Sequence, residues 1–505
     1  MKFKHRALTQ RKVRAAAPDL SCHGYPGRCH KTGSLFVKKL LLSLLSISMA
    51  IAPLSAVTKD VPVAPEVLPQ EVYKQAVPGL SKKDMQKFLK GEKVFTNFWM
   101  AVNNPVIPLV WDLSQTGPAG GEWGLGPMFM ATNCASCHLN AGRGRALETN
   151  GLRVFQQLLR VSVPGQDAHG GPKPDANYGL DIQMFDTVTR TDPDARAGEG
   201  EVFVDWVKSS FTFPDGSEIE LRKPSERIEN LNFGPMADNV MTSLRNTQAI
   251  LGMGYLEAVS EKDILKLAEK QKSLGLNGHP NYVRDDINKK TVMGRFGWKA
   301  NQPSIRQQIA AAFHSDIGVN SAVYPAQNCT PIQKECLVAI KGDKPELRPE
   351  LWDTLTFWSQ SLDVPAQRNR DAAEFKSGEK LFDTAGCSGC HVPELRTGKY
   401  AAVPQLSNKL IRPYTDLLLH DMGPDLADGR PDFKASGSEW RTPPLWGIGL
   451  SQQVNASNSF LHDGRARNLV EAIVWHGGEA KSAKDKFVAF TSKQRDDLIY
   501  FLSSI

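Results

Sequence analysis

A mainly α fold built from two similar helical units is what the sequence predicts, and three observations carry that expectation. Apolar residues recur at helical spacing over 260–274, 304–313 and 492–505. The string Phe88-Leu-Lys-Gly91-Glu-Lys-Val-Phe95 returns as Phe375-Lys-Ser-Gly378-Glu-Lys-Leu-Phe382. Each copy precedes a Cys-x-x-Cys-His string, Cys134-Ala-Ser-Cys137-His138 and Cys387-Ser-Gly-Cys390-His391, so a duplicated unit is expected. The chain of 505 residues also exceeds what one hydrophobic core usually organises.

In chain order, the first feature is an apolar run over 40–52, preceded by Lys38 and Lys39 and followed by Ser55 and Ala56. That is the layout of a secretory signal, and cleavage after Ala56 into the periplasm is expected. The run is shorter than the ~20 residues a membrane-spanning helix needs, so no transmembrane segment is expected in the mature protein. Residues 1–36, basic and containing Cys22 and Cys29, are expected to be dispensable, either an extended leader or a mis-assigned start.

The net charge of +7 belongs to this leader: residues 1–56 carry ten Lys or Arg and one Asp, and removing that +9 leaves −2. Such a mature chain has no electrostatic case for nucleic acid, which requires clustered cations to displace counterions. Residues 57–340 are expected to form the first unit, 341–370 a connector and 371–505 the second unit. The Gly-, Pro-, Asp- and Asn-rich stretch 164–235 reads as long loops with some short strands. Cys329 and Cys336, outside both strings, are expected to close a disulfide in an oxidising compartment.

The two Cys-x-x-Cys-His strings carry the chemistry. Two thiols at this spacing can add across the two vinyl groups of one porphyrin, and the next residue presents an imidazole to the iron. A zinc ribbon would need more Cys or His nearby, and a thioredoxin-like pair would not explain a His following both times. The fold expectation is therefore two cytochrome c-like haem domains, each with covalent haem c, and His138 and His391 as proximal ligands. For the second iron, His476 is the candidate sixth ligand. It ends Leu469-Val-Glu-Ala-Ile-Val-Trp-His476, where Leu469, Ala472, Ile473 and His476 share one face; a capping or core histidine is the alternative. His462 is a second candidate, better suited to holding a turn or a propionate.

The segment Phe460-Leu-His-Asp-Gly464 followed by Leu469 to His476 resembles the C-terminal haem domain of bacterial di-haem cytochrome c peroxidases, with His476 where they carry a ligating methionine. A closer similarity is to the di-haem oxidoreductase family, also described as predicted thiol oxidoreductases. It rests on Gly124-Leu-Gly-Pro127, Gly294-Arg-Phe-Gly-Trp-Lys-Ala300, Pro413-Tyr-Thr-Asp-Leu-Leu-Leu-His-Asp-Met-Gly423, Trp440-Arg-Thr-Pro-Pro-Leu-Trp-Gly447 and Trp475-His-Gly-Gly-Glu-Ala480.

The peroxidase resemblance implies that the N-terminal haem reacts with hydrogen peroxide while the C-terminal haem relays electrons from a small soluble carrier of cytochrome c or cupredoxin type. O–O cleavage needs an acid/base group and a hydrogen-bonding neighbour, for which Glu257 and Gln183 are the candidates. Met128, Met130 and Met184 could approach the first iron, while His169, His279 and His314 read as surface residues. Trp298, Trp446 and Trp475 are candidates to lie between the haems. The resemblance further implies a calcium ion near Ser457 and Ser459. Two other functions fit the same motifs: haem-dependent oxidation of a thiol or protein substrate, and a non-enzymatic electron-transfer cytochrome.

Overall fold

The two repeated strings form two helices that are crossed in the same way. Lys82–Thr96 starts at Ser81, whose hydroxyl accepts from the Asp84 amide, and buries Phe88, Gly91, Val94 and Phe95. It packs on Pro349–Gln360. At the crossing a Cβ on Gly91 would lie 2.4 Å from Trp358 Cβ and 2.7 Å from the Thr354 carbonyl oxygen. Ala373–Ala385 packs likewise on Ser492–Ser504. There a Cβ on Gly378 would lie 2.1 Å from the Asp497 carbonyl oxygen. The repeat is thus a helix whose glycine admits a second helix and whose last Phe points at the following His, with ring centroids 6.2 Å apart for Phe95–His138 and 6.5 Å for Phe382–His391.

The computed structural model describes residues 67–102, 122–188, 198–339, 342 and 345–505. The expected signal, its expected cleavage after Ala56 and the basic extension lie outside them. All described residues belong to one compact unit, and among them no helix is long and apolar enough to cross a membrane. The helices expected near 260–274, 304–313 and 492–505 occupy Glu261–Lys272, Ile305–Ala312 and Ser492–Ser504. The stretch expected as a connector contains Pro349–Gln360, the helix that completes the first crossing.

The expectation of a mainly α fold is overturned: helix accounts for 32% and strand for 21%, the strands lying in many small sheets. The error lies in 164–235, where Gly and Pro suggested loops. Glu201–Thr212 and Glu218–Glu229 instead pair antiparallel along their whole length, Glu201 opposite Glu229 and Thr212 opposite Glu218. Val202, Val204 and Trp206 alternate inward, the period-2 signature of a half-buried strand. Pro224 is tolerated because its strand is the edge of a three-stranded sheet, where a missing N–H breaks no ladder. Gln157–Gln166 and Met241–Asn246 pair in a second sheet that forms part of the wall of the site.

One apolar core gathers around Phe88, Phe95 and Trp358, and another around Phe375, Phe382 and Phe501. Phe213 and Leu221, at the far end of the long hairpin, join the second core. Each such buried side chain is worth ~1.5–3 kcal/mol relative to exposure. Ion pairs Arg495–Asp215 and Arg467–Glu220 flank the contact.

Candidate functional site

Each Cys-x-x-Cys-His string forms a short turn at the edge of a cavity. In the first, the Asn133 side chain accepts from the Ser136 amide at 2.7 Å and fixes the turn Cys134–Ser136. The His138 Nδ1 lies 2.7 Å from the Gln248 carbonyl oxygen, and the His391 Nδ1 2.9 Å from that of Tyr414. With Nδ1–H donating, each ring keeps its Nε2 lone pair for a metal. Burial pushes both imidazoles down to about 4, so they stay neutral. Burial also pushes the thiols of Cys134, Cys137 and Cys387 up to about 12, the reverse of a reactive thioredoxin-like pair.

Cys134, Cys137 and His138 line a cavity of about 310 Å³; Cys387, Cys390 and His391 line a second of about 510 Å³. Leu469, Ala472, Ile473 and His476 all line the second cavity, as their shared helix face implies. His476 Nδ1 lies 2.7 Å from the Ala472 carbonyl oxygen, again leaving Nε2, and burial holds its pKa down. The cavities therefore differ: among the described residues four histidines line the second, His391, His420, His462 and His476, and His391 and His476 each have Nδ1 on a backbone carbonyl, whereas His138 is the one histidine lining the first.

His462 also lines the second cavity, its ring stacked on Trp440 at 3.7 Å and 12°. The next residue, Asp463, accepts from the Arg465 amide at 3.1 Å and pairs with its guanidinium, which shapes the turn. His420 was not singled out from the sequence. It is buried with Nε2 2.8 Å from Asp416, Nδ1 3.0 Å from Glu479 and Nδ1 3.6 Å from Cys390 Sγ. A metal reading of the Cys390, Asp416 and His420 group competes with the haem attachment expected of that sulfur, and both imidazole nitrogens already face carboxylates.

Glu257 and Gln183 do not line the first cavity. The Glu257 carboxylate accepts from the Ile305 amide at 2.7 Å, from Gln360 at 2.9 Å and from the Tyr400 hydroxyl. Gln183 is buried, its backbone N–H donating to the Glu199 carboxylate at 2.7 Å. Met130 lines the first cavity, as does Met253; Met128 and Met184 are buried elsewhere. His169, His279 and His314 line neither cavity. Of the three tryptophans, Trp298 lines both cavities, Trp446 the first, and Trp475 neither.

Sequence reading missed Asp316, which lines the first cavity from the π-helical turn Phe313–Ile317. Burial pushes its carboxyl up to about 6, opposed by the positive charge of Arg160. No motif surrounds it, and only a local departure from regular helix marks it, a feature frequent at functional sites. Ser457 and Ser459 pack on Gly144 and Asn246: the Asn246 amide donates to the Gly144 and Ser459 carbonyls at 3.0 and 3.2 Å. Its buried Oδ1 has no hydrogen-bond partner among the described residues, which fits a cation held by oxygen atoms. Cys329 and Cys336 form the expected disulfide.

Two apolar cavities, each with a thiol pair and a neutral imidazole oriented by a carbonyl, define a protein constructed to hold two haems. The family model described as "Di-haem oxidoreductase, putative peroxidase" matches residues 70–505, and the chain belongs to that family. No curated protein matches the chain. Among solved structures, hydrazine synthase of Kuenenia stuttgartiensis, pressurised with xenon, aligns over 93% of this chain and 100% of that one, at 13% identity and a TM-score of 0.31.

Proposed function

We propose that the chain is an exported c-type di-haem peroxidase in which hydrogen peroxide reacts at the first cavity and electrons enter through the second. The observation that carries this reading is the unequal supply of imidazoles with Nδ1 on a backbone carbonyl and Nε2 left for a metal, His138 for the first cavity against His391 and His476 for the second. Two strong protein ligands make a relay, and one leaves a coordination position for a small oxidant. The haems would be bound covalently through Cys134 and Cys137, and through Cys387 and Cys390.

When bound, the haems supply the reductive chemistry, in which one peroxide, two electrons and two protons give two waters. The chain's own part is to hold the imidazoles neutral and to move protons. His138 and His391 are oriented by carbonyls 2.7 and 2.9 Å away. Asp316 replaces Glu257 as the group proposed to take the peroxide proton, because it faces the first cavity. Trp298, lining both cavities, supports electron exchange between them, and its indole N–H is fixed 2.7 Å from the Asn246 carbonyl oxygen. A small soluble carrier of cytochrome c or cupredoxin type would deliver the electrons. Asn246 Oδ1 with the nearby carbonyls supports a calcium ion there, and the Cys329–Cys336 disulfide supports a periplasmic location.

The test is optical and paramagnetic spectroscopy of protein carrying both haems, with peroxide turnover on a reduced carrier. One ligand-accessible haem, together with turnover, is expected. Two low-spin haems that bind no added ligand would make the protein an electron carrier instead, and peroxide turnover that fails while a thiol or protein is oxidised would move the activity to that substrate.

A further inference from the structure

The wall between the two cavities contains two arginines that pair with no acid among the described residues. Arg143 and Arg441 line both cavities and are 9% and 5% exposed. The other arginines lining the first cavity have carboxylates: Arg160 pairs with Asp181 at 2.6 Å and Arg245 with Asp428 at 3.1 Å; Arg222 and Arg295 are buried and donate to carbonyls, but they line neither cavity. Arg441 donates only to carbonyls, those of Gly297 at 2.9 Å and Thr442 at 3.2 Å. Asp416 acts on it through space without an ion pair. The Arg143 guanidinium lies 5.7 Å from the Phe460 ring and has no carboxylate partner among the described residues.

Two like charges held close together in a low-dielectric wall are costly unless an anion joins them. A planar guanidinium fits a carboxylate through two parallel hydrogen bonds. Within two haem cavities, the carboxylates that arrive with the cofactors are the porphyrin propionates. We infer that Arg143 and Arg441 form one shared carboxylate-binding wall that receives propionates from both haems and sets the two reduction potentials together. This inference rests on the two-haem reading above. The backbone supports it, since the Arg441 amide donates to the Trp298 carbonyl at 2.9 Å and so fixes the wall to the tryptophan lying between the cavities.

Each cation disfavours the more positive oxidised iron, and inside the protein this effect is weakly screened. Removing one charge therefore lowers the potential of every haem it faces. The experiment is a spectropotentiometric titration of the full-length di-haem protein and of Arg143→Gln, Arg441→Gln and Arg441→Lys, with haem content measured per chain. Both midpoints should fall together in each Gln variant and stay near their original values in the Lys variant. A shift of one midpoint alone, or of neither, would overturn the shared wall. So would a Lys variant that behaves like Gln, because charge would then not be what matters. Should a Gln variant fail to retain haem, the Lys variant decides, both midpoints near their original values supporting the wall. Fewer than two haems in the unmodified chain would overturn the two-haem reading instead, a result read from haem content before any potential is measured.

Discussion

Gly91 meets Trp358 where two helices cross, so closely that a Cβ would sit 2.4 Å from the tryptophan's own. In an isolated helix, Gly→Ala is favourable by about 1 kcal/mol. Here the crowding of Trp358 and the Thr354 carbonyl should outweigh that gain, because overpacking costs ~1–3 kcal/mol. Gly91→Ala is expected to lower the urea midpoint of the haem-loaded protein, and Gly378→Ala to do the same at the Asp497 carbonyl. A midpoint that rises in both variants would show that the helices can separate at no cost.

His420 is held between Asp416 and Glu479. Burial works to lower its pKa, but the bond to Asp416, then Cys390 and Glu479, raise it to about 12. The imidazolium is therefore the folded form at neutral pH. A pKa raised on folding gives stability that is complete below the unfolded value near 6.5 and disappears as pH rises through about 12. His420→Gln leaves two acids without their cation, and a loss of ~3–5 kcal/mol is expected. Chemical denaturation at pH 7 and 11 measures it; equal stability of variant and parent at pH 7 would remove the assignment.

Asp316 carries the proposed proton transfer. Only its ionised form can accept a proton from peroxide, so turnover should climb as pH rises through about 6, the value to which burial pushes it. The stability effect has the opposite sign. A carboxyl raised on folding binds protons that the unfolded chain has released, so rising pH destabilises the folded state across that interval. Asp316→Asn should abolish the rise and lower kcat by ~10²–10⁴-fold. An unchanged pH–rate profile would exclude the role.

His476 and His391 line the same cavity. Methionine ligation raises haem potentials relative to histidine. His476→Met is therefore expected to raise the second midpoint while leaving the first nearly unchanged, and His476→Gly to let an added imidazole bind there. Unaltered spectra in both variants would mean that His476 is no ligand.

The sequence made legible whatever is repeated or periodic. The two Cys-x-x-Cys-His turns, the Gly91 and Gly378 crossings and the cavity-facing row Leu469, Ala472, Ile473 and His476 each follow from local spacing. What was hidden depends on partners distant in sequence. His420 acquires its role from Glu479, and Arg143 stands out only because no acid among the described residues pairs with it. Glu257 failed as a cavity residue because a carboxylate one position beyond Leu256, which does line the cavity, turns to Ile305, Gln360 and Tyr400 instead. The hairpin was missed because Gly and Pro nearby outweighed a clear alternation from Val202 to Trp206.

That hairpin also bears on how the molecule can be divided. Its end inserts Phe213 and Leu221 among Phe487 and neighbouring residues of the second core. A fragment starting after Gln360 would keep its own crossed helices and its own Cys-x-x-Cys-His turn, yet would expose the apolar seat that the arm occupies. Such a fragment would tend to self-associate, so although the sequence reads as two copies of one unit, neither copy is a free-standing part.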